Sequence, residues 1–112
     1  DFSALHRLRT RDEVWHFYAG DEVEHTMLAA AEGVGRATTL GGDVRAGAVP
    51  QLVVPAGVWQ GARLAAGGDQ GWALVGCTLA AAWDERDFEL GDRAALLREF
   101  PGAAAQIHAL TR

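Results

Sequence analysis

Short strand-like runs separated by glycine turns fill the first three quarters of this 112-residue chain, and that rhythm constrains the fold more than any other feature. Runs fall at residues 3–9, 13–18, 23–28, 33–40, 51–54, 61–65 and 72–79. Between them stand Gly20-Asp21, Gly41-Gly42-Asp43, Pro55-Ala56-Gly57 and Gly67-Gly68-Asp69, the residue types that reverse a chain. Many short strands at close spacing predict an all-β antiparallel sandwich or barrel. No internal repeat and no linker-like tract interrupts the pattern, so residues 1–112 read as one domain.

The last fifth of the chain changes period. Asp92 can cap a helix that places Leu96, Leu97 and Phe100 on one side, and Pro101 would end it or open the next. Ile107 and Leu110 sit three apart, as a second short helix requires. One or two C-terminal helices are therefore expected on the outside of the β structure.

Composition narrows the partners. A net charge of -5, with no lysine anywhere, leaves little for a phosphate backbone, so no nucleic acid is expected. Arg7, Arg9 and Arg11 alternate, which reads as a solvated strand face rather than an anion clamp. The single cysteine, Cys77, lies in the apolar run Trp72–Leu79 and is expected as a buried, unreactive thiol in a reducing compartment. No run approaches the ~18 apolar residues a membrane helix needs, and a cytoplasmic location is the expectation.

Two motifs carry the chemistry. His6-Arg7-Leu8, then Glu13, then Gly20, have the spacing of cupin motif 1, with Leu8 at its second histidine. Pro55-Ala56-Gly57-Val58-Trp59-Gln60 matches the start of cupin motif 2, with Gln60 where the histidine belongs. The phrases Ser3–Leu8, Asp12–Gly20, Pro50–Gln60, Ala73–Thr78 and Asp87–Leu90 together resemble the DUF985 (Cupin_5) family of the cupin superfamily. The resemblance implies a cupin-type double-stranded β-helix, a jelly-roll barrel, and a homodimer. It implies no activity, since a shared fold does not name a reaction. The glycine that opens motif 1 would fall just before Asp1, so the domain is expected to lack its N-terminal strands here, leaving an edge for preceding residues or a partner chain to cover.

Strand alternation sorts the candidate site. If His6 faces the interior, so does Leu8, while Arg7 and Arg9 face out. If Glu13 faces in, Trp15 and Phe17 follow, and His16 and Tyr18 face out. Gln60 enters from the second motif, with Trp59 at the cavity rim or packed between sheet and helix. One imidazole, one carboxylate and one amide among apolar walls is how small-molecule sites are commonly built. His16, His25 and His108 read as surface histidines, and Trp83 and Phe88 as anchors for the C-terminal segment.

The function expected is binding of a small polar metabolite inside the barrel by His6, Glu13, Gln60, Trp15, Phe17 and Trp59. Metal-free isomerase or epimerase chemistry would use His6 as base with Glu13 orienting it, as the resemblance to sugar epimerases of this fold implies. A non-catalytic dimeric binding or regulatory module is the alternative. A metal-dependent oxygenase or isomerase ranks below both: no cofactor is expected, and a metal, if held, would rest on His6, Glu13 and Gln60, a weak set.

Overall fold

The computed structural model describes residues 1–29 and 33–112. Eight strands run β1 (Phe2–Leu8), β2 (Glu13–Gly20), β3 (Val23–Leu28), β4 (Gly35–Leu40), β5 (Gln51–Val54), β6 (Trp59–Leu64), β7 (Ala73–Leu79) and β8 (Phe88–Leu90). Helices α1 (Arg93–Glu99) and α2 (Ala104–Ala109) follow. The strands make two sheets: a five-stranded one ordered β4-β3-β6-β1-β8 and a three-stranded one ordered β5-β2-β7. All the strand pairs within them are antiparallel. The expected all-β class holds, as a sandwich rather than a closed barrel. Unequal sheet widths explain the difference, because three strands cannot cover five and the side between β7 and β8 stays open.

The five-stranded sheet buries both faces. Its inner face meets the smaller sheet through Val23, Leu40 and Ala62 against Trp15 and Val54. Its outer face carries Leu5, Leu28 and Trp59 into a second cluster with Leu96, Phe100, Ala103, Ile107 and Leu110. The two helices thus pack outside the β structure, with Asp92 accepting from the Ala95 N–H as the cap. Each side chain fully buried there contributes ~1.5–3 kcal/mol.

A bulge in β1 joins these layers. Ser3 pairs with Ala62 and His6 with Gln60, so Ala4 and Leu5 together oppose Gly61. The extra residue turns Leu5 outward while Ser3 and His6 stay on the inner face. Leu5 N–H donates to the Leu110 carbonyl at 2.8 Å, and Leu5 C=O accepts from Gly91 N–H at 2.7 Å. Gly61 opposite lacks a Cβ, which would meet Ser3 O at 3.1 Å and Leu110 Cδ1 at 3.2 Å.

β8 was not foreseen as a strand. Three residues are too few for a periodic signal, and pairing with β1 decides it: His6 with Leu90, Arg7 with Glu89, Leu8 with Phe88. Arg7 and Arg9 lie on the outward face as expected, and the structure adds ion pairs, with Arg7 at 2.7 Å and Arg9 at 3.0 Å from the Glu89 carboxylate. Arg11 pairs with the buried Asp87 at 3.1 Å.

Gly20 closes the β2–β3 turn at φ +95°, and a Cβ there would lie 2.3 Å from Trp72 O. Gly57 has φ +82° with open space around it. Gly57→Ala is expected to cost ~1–2 kcal/mol, the left-handed penalty alone, and Gly20→Ala clearly more, because backbone must also move. Urea unfolding of both variants checks this, and equal losses would refute the close-approach account.

Candidate functional site

The site is built where the inner faces of β1, β2, β3 and β6 converge. Gln60 on β6 lies between His6 on β1 and Met27 on β3, by strand register. Glu13 and Trp15 project from β2 across the gap, and Trp15 Nε1–H donates to Gln60 Oε1 at 2.8 Å. Indole nitrogen only donates, so this bond sets which way the Gln60 amide faces. The Gln60 nitrogen then donates to Glu13 Oε2 at 2.6 Å. A second ring reaches the same amide oxygen: His25 Nε2 lies 3.2 Å from Gln60 Oε1. Because that oxygen accepts, His25 carries its proton on Nε2 and leaves Nδ1 as a bare lone pair. Among the described residues Nδ1 has no partner, and His25 is 0% exposed.

His25 corrects the expectation of a surface residue. The acidic run Asp21–Glu24 pointed to solvent, but Val23, His25 and Met27 alternate onto the inner face. That period-2 register was the available signal, and a polar residue between two apolar ones in a half-buried strand masked it. Trp15 meets His25 edge-on, ring centroids 5.0 Å apart. Burial pushes the His25 imidazole down to about 4, and nearby His6 adds to this while the Gln60 hydrogen bond opposes it.

Of the six residues expected here, Glu13, Gln60 and Trp15 are joined by hydrogen bonds, and His6 stands beside Gln60. No hydrogen bond links His6 to Glu13; His6 Nδ1 instead donates to the Ala4 carbonyl at 2.8 Å, within the β1 bulge. Its ring stacks on Phe88 at 5.4 Å, so β8 also positions it. Phe17 lies one step along β2, packed on the inter-sheet core. Trp59 is on the other face of the sheet, in the helix-side cluster, with the Arg7 guanidinium 4.6 Å over its ring. Tyr18 and His16 face away from the interior, His16 bonding Thr78 at 3.0 Å, and His108 is exposed.

Cys77 is the other correction. It pairs with Trp15, so it points inward, yet it is exposed because β7 borders the open side of the sandwich. What burial it has, together with the Glu13 carboxylate beside it, pushes the thiol up to about 12. Two clefts open to solvent lie near the network. One of about 470 Å³ is lined in part by Trp15, Val23, Ala62 and Trp72; the other, about 340 Å³, by Met27, Thr38 and Leu52 among others. His25 pairs with Ala62, which lines the first, and with Thr38, which lines the second, but itself lines neither. His6, Glu13 and Gln60 line neither cleft, which corrects the simple picture of a pocket centred on them.

The metal set implied by the fold does not assemble from these residues. Both acceptor positions of the Gln60 oxygen are taken by Trp15 and His25, and Leu8 cannot coordinate. Among the described residues, no three His, Cys, Asp or Glu side chains are placed to hold an ion.

Two outcomes follow from the electrostatics. The unfolded chain protonates His25 near 6.5, whereas the folded chain does so near 4. Stability is therefore complete above about pH 6.5 and falls as pH drops toward 4, by about 3 kcal/mol in all. His25→Leu should remove that part of the slope in urea titrations at stepped pH, and an unchanged slope would count against the assignment. Cys77 should alkylate very slowly with iodoacetamide at pH 8, and Glu13→Gln should speed it several-fold by removing the neighbouring charge.

Comparisons with known proteins follow this geometry. The family model described as Cupin superfamily (DUF985) matches residues 1–91. No curated protein matches the sequence. A crystal structure of a Shewanella oneidensis protein superposes with TM-score 0.88 at 37% identity, covering 99% of this chain and 67% of that one. A hypothetical protein from Leishmania major gives TM-score 0.88 at 31% identity, covering 98% of this chain and 69% of its own. With the family model spanning most of the sequence and two solved structures of the same shape, the chain belongs to the DUF985 (Cupin_5) family of the cupin superfamily.

Proposed function

We propose that this domain binds a small polar metabolite between its two sheets, at the network of Glu13, Gln60, His25 and Trp15, with His6 at its open side. The observation that carries this reading is the burial of Glu13, Gln60 and His25 on inner faces otherwise lined by aliphatic and aromatic side chains. Buried polar groups cost stability relative to a packed apolar core, and here one of them retains an unpartnered lone pair. Trp15 of the network also lines the larger cleft, and Cys77 and Phe88 are exposed on the neighbouring edge strands. Trp15 and Phe17 supply the apolar contacts.

Binding without turnover fits the geometry better than isomerisation. Epimerisation with His6 as base would call for a second group to return the proton from the opposite face, and Tyr18, the chain's one tyrosine, is 63% exposed on the outer face of the small sheet. Glu13 is held by Gln60 rather than by His6.

A homodimer belongs to the same proposal. Val14, His16, Tyr18, Val53, Leu74 and Thr78 form the outer face of the small sheet, with no arginine, aspartate or glutamate among them. Tyr18, Val53 and Leu74 are each more than half exposed. Such a face suits a second copy, and two-fold dimers are the commonest closed assembly. Native mass spectrometry of protein purified without metal-affinity resin tests both parts. A dimer carrying an organic mass supports them. A monomer refutes the dimer, and protein that never carries or accepts a small molecule refutes the binding role.

A further inference from the structure

The groups around Gln60 direct their donors at the protein itself. Trp15 Nε1–H and His25 Nε2–H both point at Gln60 Oε1, the Gln60 amide donates to Glu13 Oε2, and His6 Nδ1–H donates to the Ala4 carbonyl. What remains for a ligand is chiefly lone pairs. These are Nδ1 of His25, fully buried and unpartnered among the described residues, Nε2 of His6, and the Glu13 carboxylate, beside which the Cys77 thiol lies. Against these acceptors the Gln60 amide holds one further N–H beyond the one it gives to Glu13.

Charge sharpens the same point. Glu13 is 9% exposed, and no arginine or histidine lies within ion-pair distance of it among the described residues. The nearby strand arginines, Arg7 and Arg9, are both engaged by Glu89 instead. A carboxylate withdrawn from water normally has a cation or several donors beside it, whereas Glu13 has one neutral amide and a thiol.

Resting on the binding role proposed above, the geometry points to the ligand's chemistry: an organic ammonium. Its charged N–H group lies on Glu13, and its remaining N–H or hydroxyl donors meet the imidazole lone pairs. Its carbon body lies against Trp15, whose ring face also favours a cation. Carboxylates and phosphates are disfavoured by the same lone pairs, because acceptors facing acceptors repel.

Three probes on one two-carbon hydroxyl frame test this: ethanolamine, ethylene glycol and glycolate, each titrated into uniformly 15N-labelled protein. Two-bond proton–nitrogen spectra report the imidazole nitrogens, and backbone spectra report β2 and β6. Ethanolamine should shift His25 Nδ1 saturably, bind about tenfold or more tighter than ethylene glycol, and leave glycolate without effect. Glu13→Gln should reduce ethanolamine to the level of the diol. Glycolate binding as well as ethanolamine, or equal binding of ethanolamine and glycol, overturns the ammonium assignment and leaves the binding role standing. Silence from all three probes, with native protein free of any organic mass, overturns both. Should Glu13→Gln fail to fold, the three-probe comparison on the wild-type protein decides alone.

Discussion

One hydrogen bond organises the interior, the 2.8 Å contact from Trp15 Nε1–H to Gln60 Oε1 that ties the small sheet to the large one. Its direction cannot reverse, because indole nitrogen has a proton and no free acceptor. That one-way bond orients the Gln60 amide, which places its nitrogen on Glu13 and its oxygen toward His25. The tautomer of His25 follows, and with it the bare Nδ1. A carbon side chain at position 60 would leave the indole and the Nε2 of the imidazole each without this buried partner, a cost of ~1–3 kcal/mol apiece, and would leave the carboxylate with the thiol in place of the amide.

The β1 bulge plays the corresponding part for the backbone. By adding one residue opposite Gly61, it lets Leu5 enter the helix-side core while Ser3 and His6 remain on the inner face. The bulged backbone is satisfied by Leu110 and Gly91, so α2 and the start of the α1 segment are docked by the same irregularity that aims His6. The C-terminal helices therefore act on the site at a distance: they hold the strand, and the strand's carbonyl at Ala4 holds the imidazole.

Departures from the metal-binding pattern of cupins are consistent with one another. Leu8 in place of a histidine and Gln60 in place of another remove two ligands, and the remaining residues are drawn into hydrogen bonds instead. Gln60 offers both a donor and an acceptor, which a metal-binding histidine would not, and the structure uses both. The interior is left rich in acceptors and carries a negative group, a different kind of site from a cation coordinated by imidazoles.

Strand rhythm, turn positions, the helix cap at Asp92 and the inward set Glu13, Trp15 and Phe17 were legible in the sequence, because they depend on period-2 alternation, turn chemistry and capping, all local properties. The resemblance of two segments to cupin motifs, rather than any local property, implied that His6 and Gln60 lie near Glu13. The burial of His25, the exposure of Cys77, the choice between the two placements of Trp59 and strand β8 were decided by tertiary structure. His25 becomes a site residue only because β3 lies beside β6, and Cys77 is open to solvent only because β7 is the edge of a narrower sheet. Trp59 joins the helix cluster because alternation puts it opposite Gln60 on β6, and β8 exists because β1 offers an edge to pair with. Which strands become neighbours is set by long-range pairing, and no local pattern of residues encodes it.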